Sequence, residues 1–133
     1  MAKKLMIVDD RAVSRHLVRR AVAMSRDTVL ECGSPAEALQ SVGVFKPDCV
    51  MMGVSHPVSG AFQAIKTIRE THPDVRVVAV SSFNEAELRH AATDAGATGY
   101  VTQENLSELF LLAAPERLAL KPARGSKSGR KQK

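Results

Sequence analysis

Asp9 and Asp10 follow the apolar run LMIV at residues 5–8, and this adjacent acidic pair is the feature of the chain best suited to metal or proton chemistry. Two carboxylates at a strand end either share a cation or repel one another. Without a metal or a lysine they titrate as a coupled pair, one proton held more tightly, with Arg11 or a backbone amide relieving the repulsion. The plainer reading is that they begin a helix and favour its positive end. A second candidate is Ser55 and His56 in GVSHP at residues 53–57. Pro57 breaks the GxSxG elbow, and neighbours in a chain seldom aim side chains at one another, so no hydrolase is expected there. Cys32 and Cys49 lack CxxC or Cys/His spacing and read as packing residues. His16, His72 and His90 fall on helical surfaces or ends at no ligand spacing.

The elements that must position these groups alternate five times between strand-like apolar runs and amphipathic segments, the pattern of repeated βα units. The strands are predicted at residues 5–8, 28–32, 49–52, 75–80 and 98–102. The first helix is expected over about residues 12–24, with Val13, Leu17, Val18, Ala21 and Val22 inward and Arg15, Arg19 and Arg20 outward. Ser34 should cap a second helix from Pro35 to about residue 44. A loop over 53–60 precedes a third helix at about 61–71. The fourth starts near Asn84 and closes at Gly96, and Asn105 should cap a fifth over 106–114 before Pro115. The fold class is α/β, a flavodoxin-like doubly wound five-stranded parallel sheet with five helices. In such a sheet functional groups gather at the strands' carboxyl ends, which singles out Asp9, Asp10, Gly53, Ser81 and Gln103, with Tyr100 nearby.

The 133 residues suit one domain, and 44% hydrophobic content is enough for a core on both faces of a sheet. Apolar runs stop after about eight residues, against the roughly 20 of a membrane span, and the start MAKKLMIVDD is too short in apolar residues for a secretory signal. A cytoplasmic protein with no membrane contact is expected. The net charge of +5 is uneven: residues 1–120 hold 13 Lys and Arg against 14 Asp and Glu, while residues 121–133 hold six basic residues and no acid. Residues 1–120 are therefore expected to form the domain, and 121–133 a basic disordered tail or linker. Such a tail adds salt-sensitive affinity for nucleic acid or an acidic partner without specificity.

The segments LMIVDD, KPDCVMMGVSHPVSG, VRVVAVSS and DAGATGYVTQENL, in this order and spacing, resemble the receiver domains of bacterial two-component response regulators over about residues 3–120. The resemblance implies an acidic pair that helps hold Mg²⁺ and a phosphoacceptor aspartate ending the third strand, served by a histidine kinase. It also implies a Ser or Thr ending the fourth strand, a Lys ending the fifth, and an aromatic on the fifth that reports the change. Asp9 and Asp10 match the acidic pair, Ser81 the hydroxyl and Tyr100 the aromatic. The phosphoacceptor position is Gly53 and the lysine position is Gln103, while Ser59 is a looser, uninformative match.

A glycine has no side-chain nucleophile, so the resemblance implies a degenerate pseudo-receiver with no enzymatic activity. Asp9 and Asp10 alone would bind Mg²⁺ weakly at best, and no other cofactor is expected. The joint loss of an acid and a lysine fits a pocket adjusted to an unphosphorylated state. Ser81 and Tyr100 are switch-like by resemblance, but a strand-end hydroxyl and an edge aromatic is the simpler reading. In the last helix Leu106, Leu109, Phe110 and Ala113 satisfy an inward face. Leu111 and Leu112, with Leu118 and Leu120, are left over as a candidate interface. The expected function is a phosphorylation-independent module that binds a protein partner or dimerises through its fourth helix, fifth strand and fifth helix. The alternatives are a nucleic-acid-associated regulator using the tail, or the receiver part of a transcriptional regulator lacking its output domain.

Overall fold

Successive apolar residues of the first strand point to opposite sides of the sheet, so each half of the run LMIV builds a different core. In the computed structural model, which describes residues 2–54 and 60–115, this strand is β1, Lys4–Val8. The chain continues through α1 (Ala12–Val22), β2 (Thr28–Cys32), α2 (Pro35–Phe45), β3 (Cys49–Val54), α3 (Ala61–Thr71), β4 (Arg76–Ser81), α4 (Ala86–Ala95) and β5 (Gly99–Thr102). A 3₁₀ segment, Gln103–Glu108, leads into the short α5, Leu109–Ala113. The five strands are parallel in the order β2-β1-β3-β4-β5, the expected flavodoxin-like arrangement.

Met6, Val8, Val50, Met52, Val77 and Ala79 bury one face of the sheet against α2, α3 and α4. Leu5, Ile7, Met51, Val78, Val80 and Val101 bury the other against α1 and α5. Each fully buried Leu, Ile or Met contributes about 1.5–3 kcal/mol, so these interleaved rows dominate the stability. Cys32 and Cys49 are unpaired, buried, and on opposite faces of the sheet. Burial pushes the Cys49 thiol up to about 12, which leaves it unreactive.

Several boundaries differ from the expectation. β3 does not stop at Met52: Gly53 and Val54 continue the ladder opposite Val80 and Ser81. Gly53 is thus a strand residue, tolerated because the neighbouring backbone comes too close for a side chain. In α1 the buried column is Ser14, Val18 and Val22, spaced by four, whereas Val13 and Leu17 are exposed. A helix turning 100° per residue cannot bury all five apolar positions against one sheet.

Asn105 does not cap the last helix. Its φ of −123° interrupts the 3₁₀ segment, and its amide donates to Thr102 Oγ1 at 3.1 Å. α5 is consequently only five residues long. Leu118, Leu120 and the basic tail lie outside the described residues, as do Ser55, His56, Pro57 and Ser59.

The start of α2 follows expectation. Ser34 Oγ accepts the Glu37 N–H at 3.1 Å, Glu37 Oε1 reaches back to accept the Gly33 N–H at 2.8 Å, and Pro35 occupies the first turn. Ser34→Ala should lower stability by about 1 kcal/mol in a urea melt, and Ser34→Asp should retain most of it.

Candidate functional site

Gly53 ends up beside the first strand because β1 and β3 are hydrogen-bonded neighbours, with Val8, the last residue of β1, opposite Met52. A Cβ on Gly53 would stand 2.8 Å from Asp9 Oδ2, 3.2 Å from Asp9 Cγ and 2.9 Å from the Val8 carbonyl oxygen. The carboxylate of Asp9 therefore fills the space through which a side chain at residue 53 would leave the strand.

Asp9 is held there at several points. Its N–H donates to the Cys32 carbonyl at 3.0 Å, and its carbonyl accepts from Arg15 Nη1 at 2.7 Å. Its Oδ1 accepts the Arg11 N–H at 2.8 Å and lies 3.7 Å from Arg11 Nε. The side chain is only 10% exposed, so burial raises its proton affinity above the ordinary aspartate value. The Arg11 amide and guanidinium oppose that rise, and Asp10 adds to it. Burial rather than repulsion by Asp10 is thus the main cause of the rise, and Arg11 is the group that relieves it. Asp10 is exposed.

The fit of this donor set to a divalent cation is poor. One oxygen of Asp9 is taken by an amide and faces a guanidinium, and the other is turned toward Gly53. Among the described residues no group of three or more His, Cys, Asp or Glu side chains is placed to hold a metal.

Ser81 is fully buried, and its Oγ accepts the Phe83 N–H at 3.0 Å. Tyr100 donates its hydroxyl to the Phe83 carbonyl at 2.7 Å, while the Arg89 guanidinium lies over its ring at 4.7 Å. Ser81 and Tyr100, read separately in the sequence, thus hold the two ends of one residue's backbone. Nothing in the residue types announced Phe83 as the link. Gln103 extends Nε2 to Ser14 Oγ at 3.4 Å, joining β5's end to the buried column of α1.

A further ionic cluster escaped the sequence reading, which placed Arg15 and Arg19 in solvent. Both bind Glu31 of β2, Arg15 Nε at 3.0 Å and Arg19 Nη1 at 2.9 Å, and these contacts hold the Glu31 carboxyl below its ordinary value, Arg19 most strongly. The i,i+4 spacing of the two arginines was the available signal; their acidic partner on another element was not.

The last helix corrects the division of its apolar residues. Leu112, expected outward, packs against the α1/α5 core and lies 3.4 Å from where a Cβ on Gly99 would stand. Its carbonyl also accepts from Arg76 Nε at 2.9 Å. Phe110, Leu111 and Leu112 are all half-buried. Leu106, Leu109 and Ala113 face this core as expected.

Residues 5–113 match the family model of the response regulator receiver domain. The chain is 29% identical over 103 residues to the chemotaxis protein CheY of Halobacterium salinarum, spanning 77% of this chain and 86% of that protein. It is 33% identical over 102 residues to the response regulator GacA of Pseudomonas syringae, spanning 75% of this chain and 48% of GacA. The chain therefore matches most of the chemotaxis protein but about half the length of the GacA relative. Among solved structures, a response regulator from Thermotoga maritima superposes with a TM-score of 0.74 at 24% identity, covering 90% of this chain and 97% of that one. A LuxR-family two-component response regulator from Aurantimonas sp. gives 0.74 at 25% identity, covering 99% and 90%.

The Asp9 environment fixes the sign of a pH effect. Its folded-state proton affinity is raised, so its favourable contribution is full below the ordinary aspartate value and is lost as pH rises through the higher folded value. Asp9→Asn removes the buried charge while keeping an acceptor for the Arg11 amide. The variant should gain stability relative to the native chain between pH 3 and pH 7, measured by urea melts across that range. Gly53→Ala should cost about 1–3 kcal/mol in the same assay, because the Val8 carbonyl cannot rotate away as a side chain can.

Proposed function

The chain belongs to the response regulator receiver domain family, and from that premise we propose that it signals by binding a protein partner without forming an aspartyl phosphate. The observation that carries this reading is Gly53, a residue with no nucleophile, at the end of β3 with the Asp9 carboxylate in the adjoining space. Gln103 supports it: at the end of β5 it supplies a neutral amide engaged with Ser14, where a lysine would face no acceptor carboxylate. The misfit of Asp9 and Asp10 to a cation supports a pocket that runs without Mg²⁺, or with weak Mg²⁺ at best.

On this reading the unphosphorylated chain keeps its binding-competent state populated, since a partner shifts an equilibrium only by its differential affinity for the two states. The partner surface is the face of α4, β5 and α5, where Arg89 and Tyr100 line an open groove with His90, Thr93 and Thr98. Leu111 contributes there as a half-exposed residue, while Leu112 supports the face from beneath. Residues 1–120 act as the receiver unit, in the cytoplasm, with 121–133 as a basic tail or linker. Among the described residues no helix is long and apolar enough to cross a membrane.

Two measurements test the reading. Incubation with a small phosphodonor and Mg²⁺ should leave the intact mass unchanged; an acid-stable, base-labile adduct would overturn it. Partner capture should proceed without phosphodonor and fall about tenfold in Tyr100→Ala, with folding checked by circular dichroism. Capture that requires the phosphodonor would contradict the proposal. Gly53→Asp should yield little phosphoryl transfer unless Gln103→Lys is added and Asp9 swings out of the space it occupies.

A further inference from the structure

α2 carries the fewest charges on its solvent side of the four longer helices, although α1 also exposes Val13 and Leu17. The exposed positions of α2 are Ala36, Glu37, Leu39, Gln40, Gly43 and Val44, and Glu37 alone among them is charged. Val44 is 85% exposed and Leu39 37%. By contrast, exposed positions of α3 include Lys66 and Glu70, and those of α4 include Glu87, Arg89, His90 and Asp94. A helix apolar on its solvent side as well as its core side ordinarily has a second element packed on it. Beside Val44 an open groove follows the free edge of β2, lined by Lys4, Leu30, Gln40, Ser41, Val44 and Phe45.

The charges at the two ends of this face are opposite. Glu37 lies in the first turn of α2, and exposed Lys46 follows its last residue. Lys46 has φ 56°, the left-handed conformation that favours glycine, yet the position carries a cation. Glu37 and Lys46 are equally distant in sequence from a point between Ser41 and Val42, as are Leu39 and Val44, and Gln40 and Gly43.

We propose that this face binds a second copy of this chain, α2 against α2, antiparallel about a two-fold axis passing between Ser41 and Val42. Leu39 of each copy then meets Val44 of the other, Gln40 meets Gly43, where the absent side chain permits close approach, and Glu37 meets Lys46. This is the self-complementarity that a two-fold contact requires: one patch supplies both the apolar pair and both signs of charge. β2 and β5 are opposite edges of the sheet, so such a dimer leaves the α4–β5 face open for a different partner. The inference does not depend on the absence of phosphorylation.

Sedimentation equilibrium of the full 133-residue chain over a wide concentration range tests it. The native chain should show a monomer–dimer equilibrium, and Val44→Glu should weaken it by about tenfold or more. Glu37→Lys and Lys46→Glu should each weaken it, because each places like charges opposite one another, and the double substitution should restore association. Thermal melts establish that every variant is folded, and Lys46→Glu serves where Glu37→Lys disturbs the Gly33 contact. A chain that remains monomeric at all concentrations, a dimer indifferent to Val44→Glu, or single reversals that the double substitution does not rescue would each overturn the proposal. Pull-down through the α4–β5 face in the Val44→Glu background keeps this outcome separate from that of the functional reading.

Discussion

The close approach of β3 to β1 at Gly53 governs the carboxyl end of the sheet. The position where a Cβ would stand is 2.9 Å from the Val8 carbonyl oxygen and 2.8 Å from Asp9 Oδ2, so a side chain there must displace both the Asp9 carboxylate and the strand backbone. With that space available Asp9 turns inward, and burial then makes its charge costly. The compensation comes from Arg11, two residues on, through its amide and guanidinium. At the end of β5 the neutral Gln103 reaches α1 through Ser14.

Most of the fold was legible because its determinants are local. Alternating apolar runs, Ser34 before Pro35, and Gly96 in the left-handed conformation that closes α4 at φ 104° each act within a few residues. The errors occur where a choice depends on another element. Gly53 reads as a loop residue by composition, but its pairing with Val80 keeps it in β3. Asn105 reads as a cap, but its side chain is drawn to Thr102. Leu112 reads as surplus to the inward face, but it packs against the α1/α5 core close to Gly99 of β5.

The site was legible as a set of positions rather than as a network. Strand-end logic found Asp9, Gly53, Ser81, Tyr100 and Gln103, since a parallel sheet brings its carboxyl ends to one edge. It could not find that Ser81 and Tyr100 meet at the backbone of Phe83, because backbone groups carry no sequence signature. Nor could it find Glu31 as the partner of Arg15 and Arg19, which required knowing that α1 packs over β2.

The Phe83 junction bears on how a receiver of this kind can be switched. A hydrogen bond of this sort contributes about 0.5–1.5 kcal/mol net, and a stacked guanidinium about 0.5–1 kcal/mol at an exposed site. Ser81, Tyr100 and Arg89 together hold Phe83 and the tyrosine ring with three such interactions. That sum is comparable to the few kcal/mol separating two conformers of a bistable element. The Ser81 hydroxyl already satisfies the Phe83 amide, so a signal arriving from the pocket must first break that bond. The Tyr100 end of the junction, with its Arg89 stack, lies on the exposed side of α4 and β5, whereas the Ser81 end is buried at the end of β4.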